Sequence, residues 1–466
     1  MMRVLEFLVA LVIVIVLGVV AAVVMPGSGH VDRSLVVGKD LRQVYDVLNN
    51  FRRLPDYSVL RSYDPHVEFK FSGQAYGAGA ELAWNSTDPK VGNGELTIAS
   101  ATPDFDKIDS NTKKASIVWN LDNDWRGMDK HFTLDLERQG SRGQLTNIIW
   151  SYDVDYGWNL VNRFANLYIH GDPDAFIQFG LNNLQNVLAA IPNVDYSQLI
   201  PYVQQTQPTP VLLVPTSFAL KDGLDGLDDA TNKAVALIQA SAKKLGVNVT
   251  GPRIIFTTNY GDQTDTFDVA LPIDSSTLTI AGQSVQLTAP TPPALDASGA
   301  APAEASTAAD AANAAALAPG SRDRFSRVVV DNNVRATLAF GGAALKGVWN
   351  GTYVGVRPTR EMLKAYSQTH GYKFDDVVNR SYDILVTPEV KDAGGNITTY
   401  SKFEIYLPIT DAPAKTPEQE AGLQPPAPDT GSAPASASTA APAAAGTAPA
   451  PASTAAAPAA AASASH

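Results

Sequence analysis

The chain has 466 residues and no cysteine. A disulfide framework, a thiolate nucleophile and a cysteine-ligated metal are therefore closed to it. Its six histidines, His30, His66, His131, His170, His370 and His466, are scattered, and none stands at ligand spacing from another. No metal and no other cofactor is expected. A Walker loop and a Gly-x-Ser-x-Gly elbow are missing, and the glycines of Gly77–Gly79 and Gly92–Gly94 follow no strand-to-helix dinucleotide pattern. Charged residues make up only 18%, the net charge is −12, and no basic block occurs. That balance excludes a nucleic-acid partner and a polybasic grip on anionic lipid. Asp153, Asp155, Asp172 and Asp174 crowd one stretch, but they read as a solvated strand face and a complement to a helix N-terminus. With no acid–base pair to nominate, binding is expected rather than catalysis.

Two stretches also lack the means to build a core. Thr288–Gly320 and Asp411–His466 consist mostly of Ala, Pro, Ser and Thr with very few aromatic or large aliphatic side chains. They bury too little apolar surface to offset chain entropy, so both are expected to be disordered, the first as an insertion and the second as a spacer-like tail.

Against these absences stands one long apolar run. Phe7 to Met25 is nineteen residues without a charge. As a helix it extends roughly 28 Å, enough for a bilayer core of about 30 Å. It exits as Val-Val-Met-Pro-Gly-Ser-Gly-His with Ala21 and Ala22 still inside the run, and it is longer than a signal peptide needs, which favours a retained anchor (residues 1–29) over a cleaved signal peptide. Arg33, Lys39 and Arg42 beyond the helix do not favour an outside location by charge counting. The lack of cysteine and the envelope-like tail argue for export. The expected place is the inner membrane, single-pass, with periplasmic domains; the cytoplasmic face is the alternative.

The first folded region, residues 30–193, alternates strand and helix signals. Arg33–Val37 reads as a strand, Asp40 as an N-cap, and Leu41, Val44, Tyr45 and Leu48 as one helix face. Period-two patterning marks Glu81–Asn85, His131–Leu136 and Leu145–Tyr156. The last of these puts Ile148, Trp150, Tyr152 and Val154 on one face. Asp174–Ala190, with Phe176, Phe179, Leu181 and Leu184, supplies a long helix to cover that face. An α+β domain follows, an antiparallel sheet around one C-terminal helix. His30-Val31-Asp32-Arg33-Ser34 after a membrane helix, Gly77-Ala78-Gly79-Ala80 with Trp84, Gly92-Asn93-Gly94-Glu95-Leu96-Thr97-Ile98 and Thr146-Asn147-Ile148-Ile149-Trp150 carry a resemblance. The region resembles the START-like helix-grip fold of the polyketide cyclase/SRPBCC superfamily, with Leu54-Pro55-Asp56-Tyr57 where that family usually has a tryptophan-rich segment. The resemblance implies a cavity for a hydrophobic small molecule or lipid, with Trp84, Trp150, Tyr152 and Phe179 as its walls.

The second region, residues 202–410, contains two segments that end alike: Phe267-Asp268-Val269-Ala270-Leu271-Pro272-Ile273 and Phe403-Glu404-Ile405-Tyr406-Leu407-Pro408-Ile409. Each follows strand, helix and strand signals in the same order, which argues for a duplicated β-α-β-β unit interrupted by the 288–320 insertion. The unit resembles the gyrase-inhibitor-like (GyrI-like) effector-binding domain, whose halves flank a ligand groove. That family commonly sets a glutamate two residues before a tyrosine at the groove. Arg380-Ser381-Tyr382 takes that place here, which implies an anionic or neutral ligand, with Trp349 and Tyr353 as further groove candidates.

The sequence thus points to a membrane-anchored binding protein with a hydrophobic ligand and a second effector-binding-like module. Two alternatives stay open: cyclase- or hydrolase-like chemistry in the helix-grip cavity, and a cell-envelope scaffold that binds protein partners.

Overall fold

The computed structural model describes residues 2–141, 143–292 and 317–425. It is a mixed α+β chain with two large antiparallel sheets and an N-terminal apolar helix. That helix is α1 (Met2–Val24); beyond Glu6 it carries no charge, and Val4–Val24 is long and apolar enough to cross a membrane. Only Met25, Pro26 and Gly27 separate it from β1 (Ser28–Val37), a strand that starts five residues earlier than Arg33.

β1 leads through Asp40, whose side chain accepts the Arg42 N–H, into α2 (Leu41–Leu48). The short helices α3 (Leu54–Tyr57) and α4 (Leu60–Tyr63) follow. Then come β2 (Glu68–Gly73), β3 (Ala80–Asn85), β4 (Asn93–Thr102), β5 (Lys114–Asn123), β6 (Met128–Gln139) and β7 (Leu145–Asp155). Every adjacent pair is antiparallel, and the order β1-β7-β6-β5-β4-β3-β2 brings the first strand beside the last. Leu134, Leu136, Ile148, Trp150 and Tyr152 share the buried face because side chains alternate along a strand. After α5 (Leu160–Arg163), the long helix α6 (Asp172–Ala189) lies across that face with Phe176, Ile177, Leu181, Leu184 and Leu188 inward.

The second sheet is built from β8 (Tyr202–Thr206), β9 (Thr209–Ala219), α7 (Gly223–Leu245), β10 (Ile254–Tyr260) and β11 (Thr264–Pro272). The small hairpin β12 (Thr277–Ile280) and β13 (Gln283–Gln286) follows, then β14 (Val328–Val329), β15 (Arg335–Ala339), β16 (Gly342–Asn350) and α8 (Val356–Thr369). β17 (Lys373–Phe374), β18 (Tyr382–Thr387), the hairpin β19 (Val390–Lys391) and β20 (Ile397–Thr399), β21 (Lys402–Thr410) and α9 (Pro417–Glu420) complete the described chain. The units β9-α7-β10-β11 and β16-α8-β18-β21 have the same order, and they meet where β10 pairs antiparallel with β18.

The far ends of this sheet are two parts of one ladder. Its register runs from Tyr202↔Lys346 to Thr206↔Gly342, and resumes from Thr209↔Ala339 to Leu213↔Arg335. Only Gln207-Pro208 on one side and Phe340-Gly341 on the other interrupt it, so the sheet closes into a barrel. Val211, Leu213, Ile254, Phe256, Ala270, Ala344, Tyr382 and Tyr406 form the interior cluster. On the outside, α7 covers Leu212, Val214, Val269 and Leu271, and α8 covers Leu345, Ile405 and Leu407.

The two regions share a core. Leu363, Tyr366 and Tyr372 of the second region belong to the same hydrophobic cluster as Trp119, Trp150 and Leu184 of the first. The expected disorder from residue 411 onward is corrected for residues 411–425. Thr416 caps α9 in a reciprocal box with Gln419, Glu418 is buried, and the Tyr202 hydroxyl donates to the Leu423 carbonyl at 2.6 Å. The polar side chains of this short segment, not its few apolar ones, tie it to the sheet. Thr288 likewise accepts the Leu338 N–H at 3.1 Å. The rest of both Ala/Pro-rich expectations, residues 293–316 and 426–466, lies outside the described residues.

Candidate functional site

The first region's interior is lined and largely filled by rings. Trp150 meets Trp119 (centroids 5.4 Å apart), Phe132 (5.9 Å), Phe176 (6.0 Å) and Tyr57 (6.5 Å), each edge to face. Tyr152 joins through Phe132 at 5.3 Å and Trp125 at 5.6 Å. Such ring pairs contribute about 0.5–1.5 kcal/mol each beyond burial. Gly180 of α6 sits where a Cβ would come within 2.9 Å of the Trp150 ring, so only glycine lets the helix approach this closely.

The four expected cavity walls do not form one surface. Trp150 and Tyr152 belong to this cluster. Trp84 lies over Gly94, with its Nε1 donating to the Val91 carbonyl at 3.3 Å, and serves to seat the β3–β4 turn. Phe179 is a correction: it is 48% exposed on the outer side of α6. At 100° per residue it falls about 200° from the inward Ile177, a position that a list of apolar residues conceals.

The ring cluster carries an unusual polar content. Tyr57 Oη, Trp119 Nε1 and Trp150 Nε1 are buried and have no hydrogen-bond partner among the described residues. All three are donors, and the Tyr57 and Trp119 rings both touch Trp150. Burial pushes the Tyr57 phenol well above its ordinary pKa, which keeps its proton in place. An unpaired buried donor costs about 1–3 kcal/mol, so three on one ring cluster call for an acceptor.

In the barrel, Tyr382 points inward, stacked on Tyr406 at 4.9 Å and tilted against Phe256 at 5.4 Å; burial pushes its phenol up to about 12. The expected groove cation is corrected. Arg380 is bound, together with Arg327, to the buried carboxylate of Asp268. Burial opposes the Asp268 charge, yet the two guanidiniums hold its carboxyl below the usual range. Trp349 and Tyr353 both lie outside the barrel interior: Trp349 packs on the α8 side, whereas Tyr353 packs against the α7 and the α8 clusters alike, between the two halves. Trp349 Nε1 donates to Thr352 O at 2.7 Å, and Tyr353 Oη lies 3.4 Å from Asp383 Oδ1 beside the buried Arg360–Asp383 pair.

No family model matches this chain, and no curated protein matches it. Solved structures do show likeness over about a third of it. A norcoclaurine synthase from Thalictrum flavum, solved with dopamine and hydroxybenzaldehyde, is 14% identical. The match covers 35% of this chain and 88% of that one, with a TM-score of 0.25. A START superfamily protein from Mycobacterium smegmatis is 10% identical over 34% of this chain and 97% of that one, with a TM-score of 0.23. The protein XoxI from Bacillus cereus is 14% identical over 35% and 96%, with a TM-score of 0.25.

Two further groupings come together only through the tertiary fold. The first is a cleft of about 440 Å³ whose lining includes Tyr202, Gln204, Lys346, Lys402, Glu404 and Gln419. Lys346 Nζ lies 2.8 Å from Glu404 Oε1 and 5.6 Å from the centre of the Tyr406 ring, while the Tyr406 hydroxyl donates to Glu404 at 2.7 Å. Burial works against the Glu404 charge, but the hydrogen bonds from Lys346 and Tyr406 bring its carboxyl below the ordinary value. The available signal was Glu404-Ile405-Tyr406 on a strand, where period two places the carboxylate and the phenol on one face.

The second grouping joins the regions. Asp46 of α2 is fully buried and accepts from Arg42 Nε (2.8 Å), Tyr76 Oη (2.5 Å) and Tyr196 Oη (2.8 Å). Tyr366 Oη donates to Glu418 at 2.5 Å, and His370 stacks on Tyr366 at 3.8 Å and on Tyr76 at 5.3 Å. Burial lowers His370 to about 4 and raises Glu418 to about 7. These residues lie up to 376 positions apart in the chain, and no local pattern connects them.

Proposed function

We propose that this chain is a membrane-anchored binding protein. In this reading the first region is a START-like helix-grip module that takes a hydrophobic molecule bearing an oxygen acceptor. The second is a GyrI-like duplicated module whose cleft beside Lys346, Lys402 and Glu404 holds a second ligand. The observation that carries the reading is the trio of buried, unpartnered donors, Tyr57 Oη, Trp119 Nε1 and Trp150 Nε1, set on one aromatic cluster. Rings supply apolar contact at about 25 cal/mol per Å² of ligand surface buried, and the donors select a carbonyl, ester or carboxylate oxygen. A ligand there must part the rings, since Phe132, Phe176 and Trp150 already touch.

The test is binding of matched pairs to the full chain in detergent: fatty-acid methyl esters and quinones against hydrocarbons of the same length. Oxygenated members should bind and hydrocarbons should not. Tyr57→Phe, which removes one donor and keeps the ring, should weaken binding about tenfold, the equivalent of a net hydrogen bond of about 1.4 kcal/mol. Equal binding of hydrocarbon and ester, or no binding by either, rejects the reading. A second reading, an envelope scaffold, draws on the shared core that joins the regions. It predicts partner-dependent protection of the outer surface with no small-molecule ligand.

A further inference from the structure

The strongest unexplained surface lies beside the end of α1. Trp158 is 84% exposed, Val161 66%, Leu167 64% and Tyr168 75%, and Phe164 is also exposed. Between Trp158 and Ile169 the only charged side chain is Arg163. A water-facing segment of this composition is costly unless something apolar covers it.

Arg163 fixes where the segment sits. Its NH1 donates to the carbonyls of Val23 (3.2 Å) and Met25 (3.3 Å), and its Nε to Gly157 O (2.8 Å). A helix leaves its last carbonyls unpaired, and a cation there also complements the helix dipole. The guanidinium lies 4.9 Å from the centre of the Trp158 ring. On the other side, Ile169 and Asn166 press against Gly29 at the start of β1. Residues 158–168 are therefore tied to the C-terminal end of α1 by Arg163 and to the start of β1 by Asn166.

Depth follows from length. Val4–Val24 is 21 residues; at about 1.5 Å per residue it spans roughly 31 Å, against a hydrocarbon core of about 30 Å. If α1 crosses the bilayer, the carbonyls of Val23 and Met25 come to the edge of the core, and Trp158, Val161, Leu167 and Tyr168 lie at the headgroup boundary. Tryptophan and tyrosine concentrate at that depth, because an apolar ring with a polar edge suits it.

We propose that residues 158–168 form an interfacial collar, lying in the lipid headgroup layer around the exit of α1 and holding the first region against the membrane. This rests on α1 being a membrane span. The absence of cysteine makes the test clean, since single cysteines can be spin-labelled in the full chain: Val161→Cys and Leu167→Cys in the collar, Val12→Cys in α1, and Val390→Cys on the exposed β19–β20 hairpin. In vesicles of phosphatidylcholine with a quarter phosphatidylglycerol, accessibility to oxygen is compared with accessibility to a water-soluble nickel chelate. The collar labels should be at least fivefold less open to nickel than Val390→Cys while staying open to oxygen, and Val12→Cys should read as deep lipid. Collar labels as open to nickel as Val390→Cys, with Val12→Cys still in lipid, overturn the collar and leave the anchor standing. Collar labels closed to both probes, with dipolar broadening, show a second copy covering the patch and also overturn it. A Val12→Cys label open to nickel removes the anchor and the collar together.

Discussion

Glu418→Gln probes the contact between the regions most directly. The Glu418 side chain is 4% exposed, accepts from Tyr366 at 2.5 Å, and has Arg42 at 3.7 Å. Burial raises its carboxyl from 4.5 to about 7, an effect larger than the opposing pull of Tyr366 and Arg42. At about 1.4 kcal/mol per pH decade, that displacement is linked to about 3 kcal/mol of folding free energy. The folded pKa lies above the unfolded one, so the fold favours the protonated acid. Its contribution is complete below pH 4.5 and is lost as pH rises through 7. Glutamine copies the neutral acid and cannot ionise. The stability of Glu418→Gln minus that of the natural chain should therefore grow by about 3 kcal/mol from pH 4 to pH 8. Urea unfolding followed by tryptophan fluorescence, run on both proteins at each pH, gives this difference. His370 has the opposite sign, since its pKa is lowered to about 4 and its contribution is lost as pH falls. It is common to both proteins and cancels. A difference that stays constant with pH, or that shrinks as pH rises, would refute the buried, neutral-favouring environment assigned to Glu418.

Gly180→Ala should destabilise the chain by about 1–3 kcal/mol in the same urea assay, because its methyl would meet the Trp150 ring within 2.9 Å; unchanged stability would show slack in the ring cluster. At the cleft beside Glu404, Lys346 and Lys402 supply two cations to one carboxylate, so thermal melts with millimolar citrate or inorganic phosphate should move upward for the natural chain and not for Lys346→Ala. A ligand at a hundred times its Kd stabilises by about 2.7 kcal/mol, so a missing shift with both anions rejects an anion site there.

Much of the local structure was legible along the chain. The N-cap at Asp40, the inward face Ile148–Trp150–Tyr152 and the C-terminal Gly246 of α7, with φ 70°, each follow from neighbours a few residues apart. The matching endings at Phe267 and Phe403 marked strands that occupy equivalent places in the two β-α-β-β units. The candidate sites were less legible. Arg380 looked like a groove cation, yet Asp268, 112 residues away, binds it. Trp349 faces α8, because the strand period of β16 gives alternation but does not say which side becomes the interior; Tyr353, in the turn after that strand, follows no strand period at all.

The sequence by itself determined the apolar N-terminal helix, the absence of cysteine chemistry, the alternation of each strand and, Phe179 apart, the inward stripe of α6, since these depend on composition and on periods of 2 and 3.6 residues. Tertiary structure alone decided the rest. The ladder between β8–β9 and β15–β16 closes the barrel, and Asp46, His370 and Glu418 gather at one junction. Trp158–Tyr168 is pinned by Arg163 to the end of α1. Each depends on pairing across long chain separations, where burial and hydrogen-bond geometry choose partners that no local pattern specifies.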